Sequence, residues 1–410
     1  MEKKAFKPAD RLATVEEYYF SRKLKEVARL NAEGRDIISL AIGSPDMPPS
    51  SRTIDALCRE AAKADGHGYQ PTIGTPELRT AMAAFYRRWY SVDLDPATEI
   101  QPLIGSKEGI LHVTLAFVNP GDQVLVPNPG YPTYTSLSRL LGADIVNYDL
   151  TEAGGWQPDF DALDAMDLSR VKLMWTNYPH MPTGAPARRE TYERLVAFAQ
   201  KHGVIIVNDN PYSFILNEGE LLSILQVPGA KDCCIEFNSM SKSFNMPGWR
   251  VGMLLTNAEF IRWILKVKTN IDSGTFRALQ LAAAEALTNN TDEWHLQANV
   301  RTYAPRRAVA EQIMAELGCS FDTRQTGMFL WGRIPDSYAN VEDLTERILH
   351  EARVFIAPGF IFGSNGERYI RISLCATEEK MREALERIKE KAPSPLPLKG
   401  EGGHLSRSEN

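Results

Sequence analysis

Short apolar runs closed by polar, proline or glycine punctuation recur through the middle of this chain. QVLVP (Gln123 to Pro127), VKLMWTN (Val171 to Asn177), GVIIVND (Gly203 to Asp209) and CCIEFNSM (Cys233 to Met240) are the clearest. Near-continuous apolarity over so few residues predicts strands buried on both faces, as in a parallel sheet covered by helices. Between the runs lie stretches of helical length and pattern, among them SKEGILHVTLAFV and RRETYERLVAFAQKH. From about Ile104 to Thr256 the two signals alternate, which is the rhythm of a doubly wound α/β domain.

The rhythm changes after about Leu287. A long helical pattern from Trp294 to Leu317 leads to short strands near MFLWGRI and YIRISLC, with a helix near VEDLTERILHEA between them and another after them. This predicts a smaller α+β domain. The expected division is an N-terminal arm over residues 1–49 that packs in part with the small domain, a large domain over 50–287, the small domain over 288–392 and a tail over 393–410. The tail, PSPLPLKGEGGHLSRSEN, is rich in Pro, Gly and Ser and is expected to be disordered.

Composition narrows the function. A chain of 410 residues with 43% hydrophobic and 24% charged residues has the mix of a globular protein of two or three domains. A net charge of −6 without a long basic run argues against a nucleic-acid partner. The five cysteines are odd in number and the seven histidines are scattered singly, so neither a disulfide framework nor a metal site is expected. The first twenty residues lack the apolar core of a signal peptide, and no apolar run reaches the length of a membrane span. A cytoplasmic protein is the expectation.

Ligands of doubly wound sheets sit beyond the carboxyl ends of the strands, so the residues after each apolar run are where chemistry is sought. In IGSKEGI, a glycine followed by Ser106 and Lys107 opens a helix and offers backbone N–H groups to an anion, although a plain helix cap explains it as well. NYPHMPTG (Asn177 to Gly184) ends a strand in a Pro/Gly turn. In NDNPYS, Asp209 follows GVIIV and would stand at the tip of a buried strand, where a carboxylate is costly without a partner. In SMSKSFNMPGWRVG, Lys242 lies among Ser239, Ser241 and Arg250, a set suited to a phosphate and hard to explain as plain surface.

Taken in this order, the blocks resemble those of the class I/II aminotransferases that carry pyridoxal 5'-phosphate on the fold-type-I scaffold. The resemblance runs from about residue 18 to residue 388. GSKEGI, NYP..PTG, DNPYS and KTNIDSG look most like the LL-diaminopimelate/aspartate aminotransferase-like branch. It implies Lys242 as the lysine that holds the cofactor, Asp209 as the partner of its pyridine nitrogen and Tyr212 as the phenol at its 3-oxygen. It further implies Ser106, Lys107, Ser239 and Arg250 at the phosphate, Tyr131 stacked on the ring, and Arg371 with the backbone near Gly43 at the substrate carboxylate. Tyr69 matches a residue that reaches the phosphate of a neighbouring subunit, which implies a homodimer with shared sites. The activity implied is transfer of an amino group from an L-amino acid to a 2-oxo acid in ping-pong fashion.

One position departs from the pattern. Where the family usually has an asparagine that donates to the cofactor's 3-oxygen, this chain has Met181. A thioether donates nothing. The loss is worth roughly 1–3 kcal/mol unless His180, Asn177 or a water replaces the donor. Two other functions are compatible with the resemblance: β-elimination from a cysteine conjugate on the same scaffold, and a cofactor-binding regulator.

Overall fold

The computed structural model describes residues 6–15, 17, 19–217 and 219–391, so the tail expected to be disordered, 393–410, lies outside the described residues. Twelve strands are present in these: β1 (Ile38–Ser39), β2 (Ile100–Leu103), β3 (Gln123–Asn128), β4 (Asp144–Asp149), β5 (Val171–Asn177) and β6 (Ile205–Asp209) come first. They are followed by β7 (Cys234–Ser239), β8 (Gly252–Leu255), β9 (Phe329–Arg333), β10 (Val354–Phe355), β11 (Ala357–Pro358) and β12 (Tyr369–Ser373).

Seven strands form one sheet in the order β2-β8-β7-β6-β5-β3-β4. The pairs from β7 to β4 are parallel, whereas β8 runs antiparallel to both β7 and β2. The α/β class and the mostly parallel sheet agree with the sequence pattern. The predicted strands β3, β5, β6 and β7 fall within a residue or two of their expected positions. Both faces are covered. Leu173, Trp175, Val207 and Phe237 pack in a front cluster with Ile110 and Val113 of helix Ser106–Phe117 and Ile264 of helix Ala258–Lys268. Met174, Ile206 and Cys234 point to the rear and join the larger cluster with Tyr86 and Tyr192 of helices Pro76–Tyr90 and Arg189–His202. Strand alternation therefore decides which side chains reach each face.

β9, β12 and β11 make a small antiparallel sheet, and β1 pairs in parallel with β10, bringing the N-terminal segment to the C-terminal part of the chain. The helical pattern expected from Trp294 to Leu317 is not one regular helix. It comprises Asp292–Leu296, a π-helical turn at Gln297–Arg301 and helix Tyr303–Glu316. Asn299 donates to the Ser243 carbonyl at 3.1 Å and accepts from Leu216 N through its own carbonyl, so a tertiary contact draws that turn out of register. No helix of the described residues is long and apolar enough to cross a membrane.

Candidate active site

The carboxyl ends of β5, β6 and β7 open onto a cavity of about 730 Å³ on the front face. Its lining includes Lys242, Asp209, Tyr212, Ser106, Lys107 and Tyr131, and also Ser239, Arg250, Gly43 and Arg371. All the site residues read from the sequence thus share one cavity except Tyr69, which is 93% exposed and lies outside this lining.

Asp209 ends β6, and alternation sends its side chain forward while Asn208 points to the rear. The residue is 7% exposed. Tyr134 donates to Oδ2 at 3.0 Å, and the Tyr134 ring is held by a parallel stack on Trp175 at 4.9 Å. Oδ1 is buried with no hydrogen-bond partner among the described residues. Burial raises the carboxyl pKa to about 7, against the Tyr134 hydroxyl and the nearby Lys242, which pull it down. Asn177, at the end of β5, steadies this tip by donating from Nδ2 to the Asp209 carbonyl at 2.5 Å.

Lys242 lies in the short helix Met240–Ser243 that β7 leads into, with the Ser239 side chain accepting from Ser241 N at 3.2 Å. Its ammonium donates to the Gly43 carbonyl. Burial lowers its pKa, the main cause, with Arg371 and Arg250 adding to the effect. Tyr212 is held neutral, because burial first and Asp209 second raise its phenol pKa.

The anion end is built on three segments. Gly105 has φ +76°, and a side chain there would collide with the Arg250 guanidinium. Only a glycine lets the loop close on Arg250, which donates to the Pro247 carbonyl at 2.9 Å. Ser106 Oγ is buried without a partner among the described residues, at the start of helix Ser106–Phe117. An internal cation that sequence reasoning missed ties this loop down. Lys268, 2% exposed, bridges Glu108 at 2.7 Å and Asp272 at 2.6 Å, which joins the IGSKEGI and KTNIDSG segments.

Arg371, in β12, sits in an aromatic setting, its guanidinium carbon 4.0 Å from the Phe329 ring centroid and 4.5 Å from that of Phe362. It donates to the Ala41 carbonyl at 2.7 Å and to Met181 Sδ at 3.2 Å. Met181 is thus an acceptor for Arg371 in the cavity wall. Of the two side chains considered as replacements for the missing asparagine, Asn177 lines the cavity and His180 does not. Asn177 is engaged by Asp209 O and Met181 N, while His180 pairs with Thr183 at 2.8 Å and is not part of the lining. Sequence reasoning also missed Tyr134, Phe329 and Phe362, aromatic positions that carry no chemical signal until the chain is folded.

The arrangement fits pyridoxal phosphate on observations independent of any likeness. An unpartnered buried carboxylate oxygen suits a protonated ring nitrogen, and a glycine loop with an unpartnered hydroxyl beside an arginine suits a phosphate. A buried amine with a lowered pKa suits a carbonyl carbon.

Comparison with known proteins gives a consistent result. Residues 35–388 match the family model described as Aminotransferase class I and II. The LL-diaminopimelate aminotransferase of Oleidesulfovibrio alaskensis is 42% identical over 386 residues, covering 93% of this chain and 98% of that protein. The enzyme of the same name from Aquifex aeolicus is 40% identical over 385 residues, covering 94% and 99%. Among solved structures, apo-BacF from Bacillus subtilis is similar with a TM-score of 0.89 at 34% identity, covering 94% of this chain and 98% of that one.

Proposed function

Since the chain belongs to the class I and II aminotransferases, enzymes that use pyridoxal 5'-phosphate, we propose that its cavity residues divide the work of amino-group transfer as follows. When bound, the cofactor supplies an electron-withdrawing ring that accepts the electron pair released at the substrate's α-carbon. Asp209 holds a proton-bearing ring nitrogen at Oδ1, Tyr212 donates from its neutral phenol, and Ser106, Ser239, Lys107 and Arg250 surround the phosphate. Tyr131 flanks the ring. Arg371 receives the substrate's α-carboxylate, helped by the segment at Gly43. Lys242 would hold the cofactor through its ε-nitrogen, and the same nitrogen would take the proton from the substrate's Cα.

The observation that carries this reading is the pairing, within one cavity, of a buried lysine amine with a carboxylate that keeps one oxygen unmet. Transfer rather than C–S elimination is favoured, because the similar proteins are aminotransferases. Their names make LL-diaminopimelate the first donor to assay. The exposed position of Tyr69 supports a homodimer in which that side chain reaches the neighbouring cavity. The domain division at residues 49, 287 and 392 and a cytoplasmic location complete the proposal.

The test is direct. Purified protein is expected to absorb in the visible and to lose that band in Lys242→Ala. A panel of L-amino acids against 2-oxoglutarate should yield glutamate, and no pyruvate or ammonia when the acceptor is omitted. A colourless protein that takes up no added cofactor defeats the assignment.

A further inference from the structure

The rear face of the large sheet carries a second buried carboxylate. Glu236 stands in β7 opposite Asn208 of β6, one rung from the pair Asp209 and Phe237, and is 0% exposed. Its partners are uncharged donors. Tyr86 Oη donates to Oε1 at 2.9 Å, and Asn208 Nδ2 and Ile224 N donate to Oε2 at 3.1 and 3.0 Å. Donors on both oxygens hold a carboxylate, whereas an amide would have to turn its NH2 to the Tyr86 hydroxyl, which already accepts from Asn238, and would lose the bond donated there.

Two lines of hydrogen bonds lead from this carboxylate towards the cavity. Along β6, Asn208 is fixed between Glu236 and Thr176, which donates to its Oδ1 at 3.0 Å, and the next residue is Asp209. Along β7, Asn238 donates to Tyr86 Oη and Tyr90 Oη at 3.2 and 3.3 Å. Tyr90 Oη shares a 2.5 Å bond with Ser213 Oγ, one residue beyond Tyr212. A role limited to packing helix Pro76–Tyr90 on the sheet accounts for Tyr86. It does not account for both lines ending beside a cavity residue.

We propose that Glu236 is a positioning residue for Asp209 and Tyr212, acting through the sheet by its charge and by the Asn208 and Tyr90–Ser213 bonds. The electrostatic part has a definite sign. Burial raises the Glu236 pKa against the bonds donated to it, and while Glu236 is ionised its negative charge raises the Asp209 pKa, so it helps Asp209 hold a proton in the cofactor-free protein. Asp209 is also faced by Tyr134 from the helix at Pro132–Leu140, by Tyr212, and by Lys242. Glu236 is faced by Tyr86 and Tyr90, by Tyr192 from helix Arg189–His202, and by Cys234 on its own strand.

The readout separates this role from packing. In cofactor-free protein, the carboxyl infrared band assigned to Asp209 by its loss in Asp209→Asn is titrated with pH. Glu236→Gln is expected to move the midpoint down by about half a pH unit or more, as loss of a charge on the order of 10 Å away would. In the loaded enzyme kcat should fall about tenfold with little change in KM. Glu236→Asp, which keeps the charge, should restore the midpoint. Tyr90→Phe should lower kcat while leaving the midpoint in place. An unmoved midpoint in folded Glu236→Gln overturns the proposal. If that variant does not fold, a shifted midpoint in Glu236→Asp, or unchanged kcat in Tyr90→Phe, overturns it instead.

Discussion

Asp209 and Glu236 are both buried carboxylates on neighbouring parallel strands, yet the protein treats them oppositely. Glu236 meets donors on both oxygens, all supplied by the fold. Asp209 receives the Tyr134 hydroxyl on one oxygen and nothing from the described residues on the other. A buried polar group without a partner is expensive, and a fold retains one where something else completes it. The contrast teaches which carboxylate belongs to the scaffold and which to the reaction. The satisfied group can act only through others, whereas the unsatisfied one is built for a cationic ligand.

Activity offers the largest test of this contrast. Asp209→Ala should still take up cofactor but lose roughly 10²–10³-fold in kcat, the scale of losing one preorganised electrostatic partner. Near-normal turnover would erase the distinction between the two carboxylates.

Stability of the cofactor-free protein should show the opposite ordering. The Asp209 pKa is raised from 3.8 to about 7, so its favourable contribution is present below pH 4 and lost as pH rises towards 7. Replacing it with a group that cannot ionise should therefore stabilise at high pH: Asp209→Asn is expected to gain on the order of 3 kcal/mol at pH 8 and to flatten the pH dependence. Glu236→Gln, which turns an NH2 to the Tyr86 hydroxyl and loses the bond donated there, should lose roughly 1–3 kcal/mol. Urea unfolding at pH 5 and pH 8 measures both, and a destabilised Asp209→Asn at pH 8 would mean that its free oxygen is not a strain at all.

The smallest expected effect concerns Met181. Its sulfur accepts from Arg371, but a thioether is a weak acceptor. Met181→Leu should cost under about 1.5 kcal/mol in stability and change kcat/KM less than about threefold. A much larger loss would place the sulfur beside Tyr134 as a group on which the front face depends.

Much of the large sheet was legible before folding. VKLMWTN coincides with β5 from end to end, because its apolarity is continuous and its punctuation sharp. β2, β4 and β8 were not singled out. β4 is an edge strand with a mostly exposed or half-buried pattern, and β2 contains Pro102, which weakens its signal. In the site, charged and hydroxyl-bearing residues at strand ends were recognisable, since buried ionisable groups there are costly without a function. Tyr134, Trp175 and the phenylalanines around Arg371 were not, because an aromatic residue by itself reads as core until its neighbours in space are known.

The order of strands and helices, the residue types at the strand tips and the departure at Met181 belong to the sequence alone. It could not say that Asp209 keeps an open oxygen while Glu236 does not. Hydrogen-bond satisfaction is decided by distant parts of the chain: Tyr134 is 75 positions from Asp209, and Tyr86 is 150 from Glu236. Only packing brings those hydroxyls to their carboxylates, and so only the tertiary structure leaves one of them unmet.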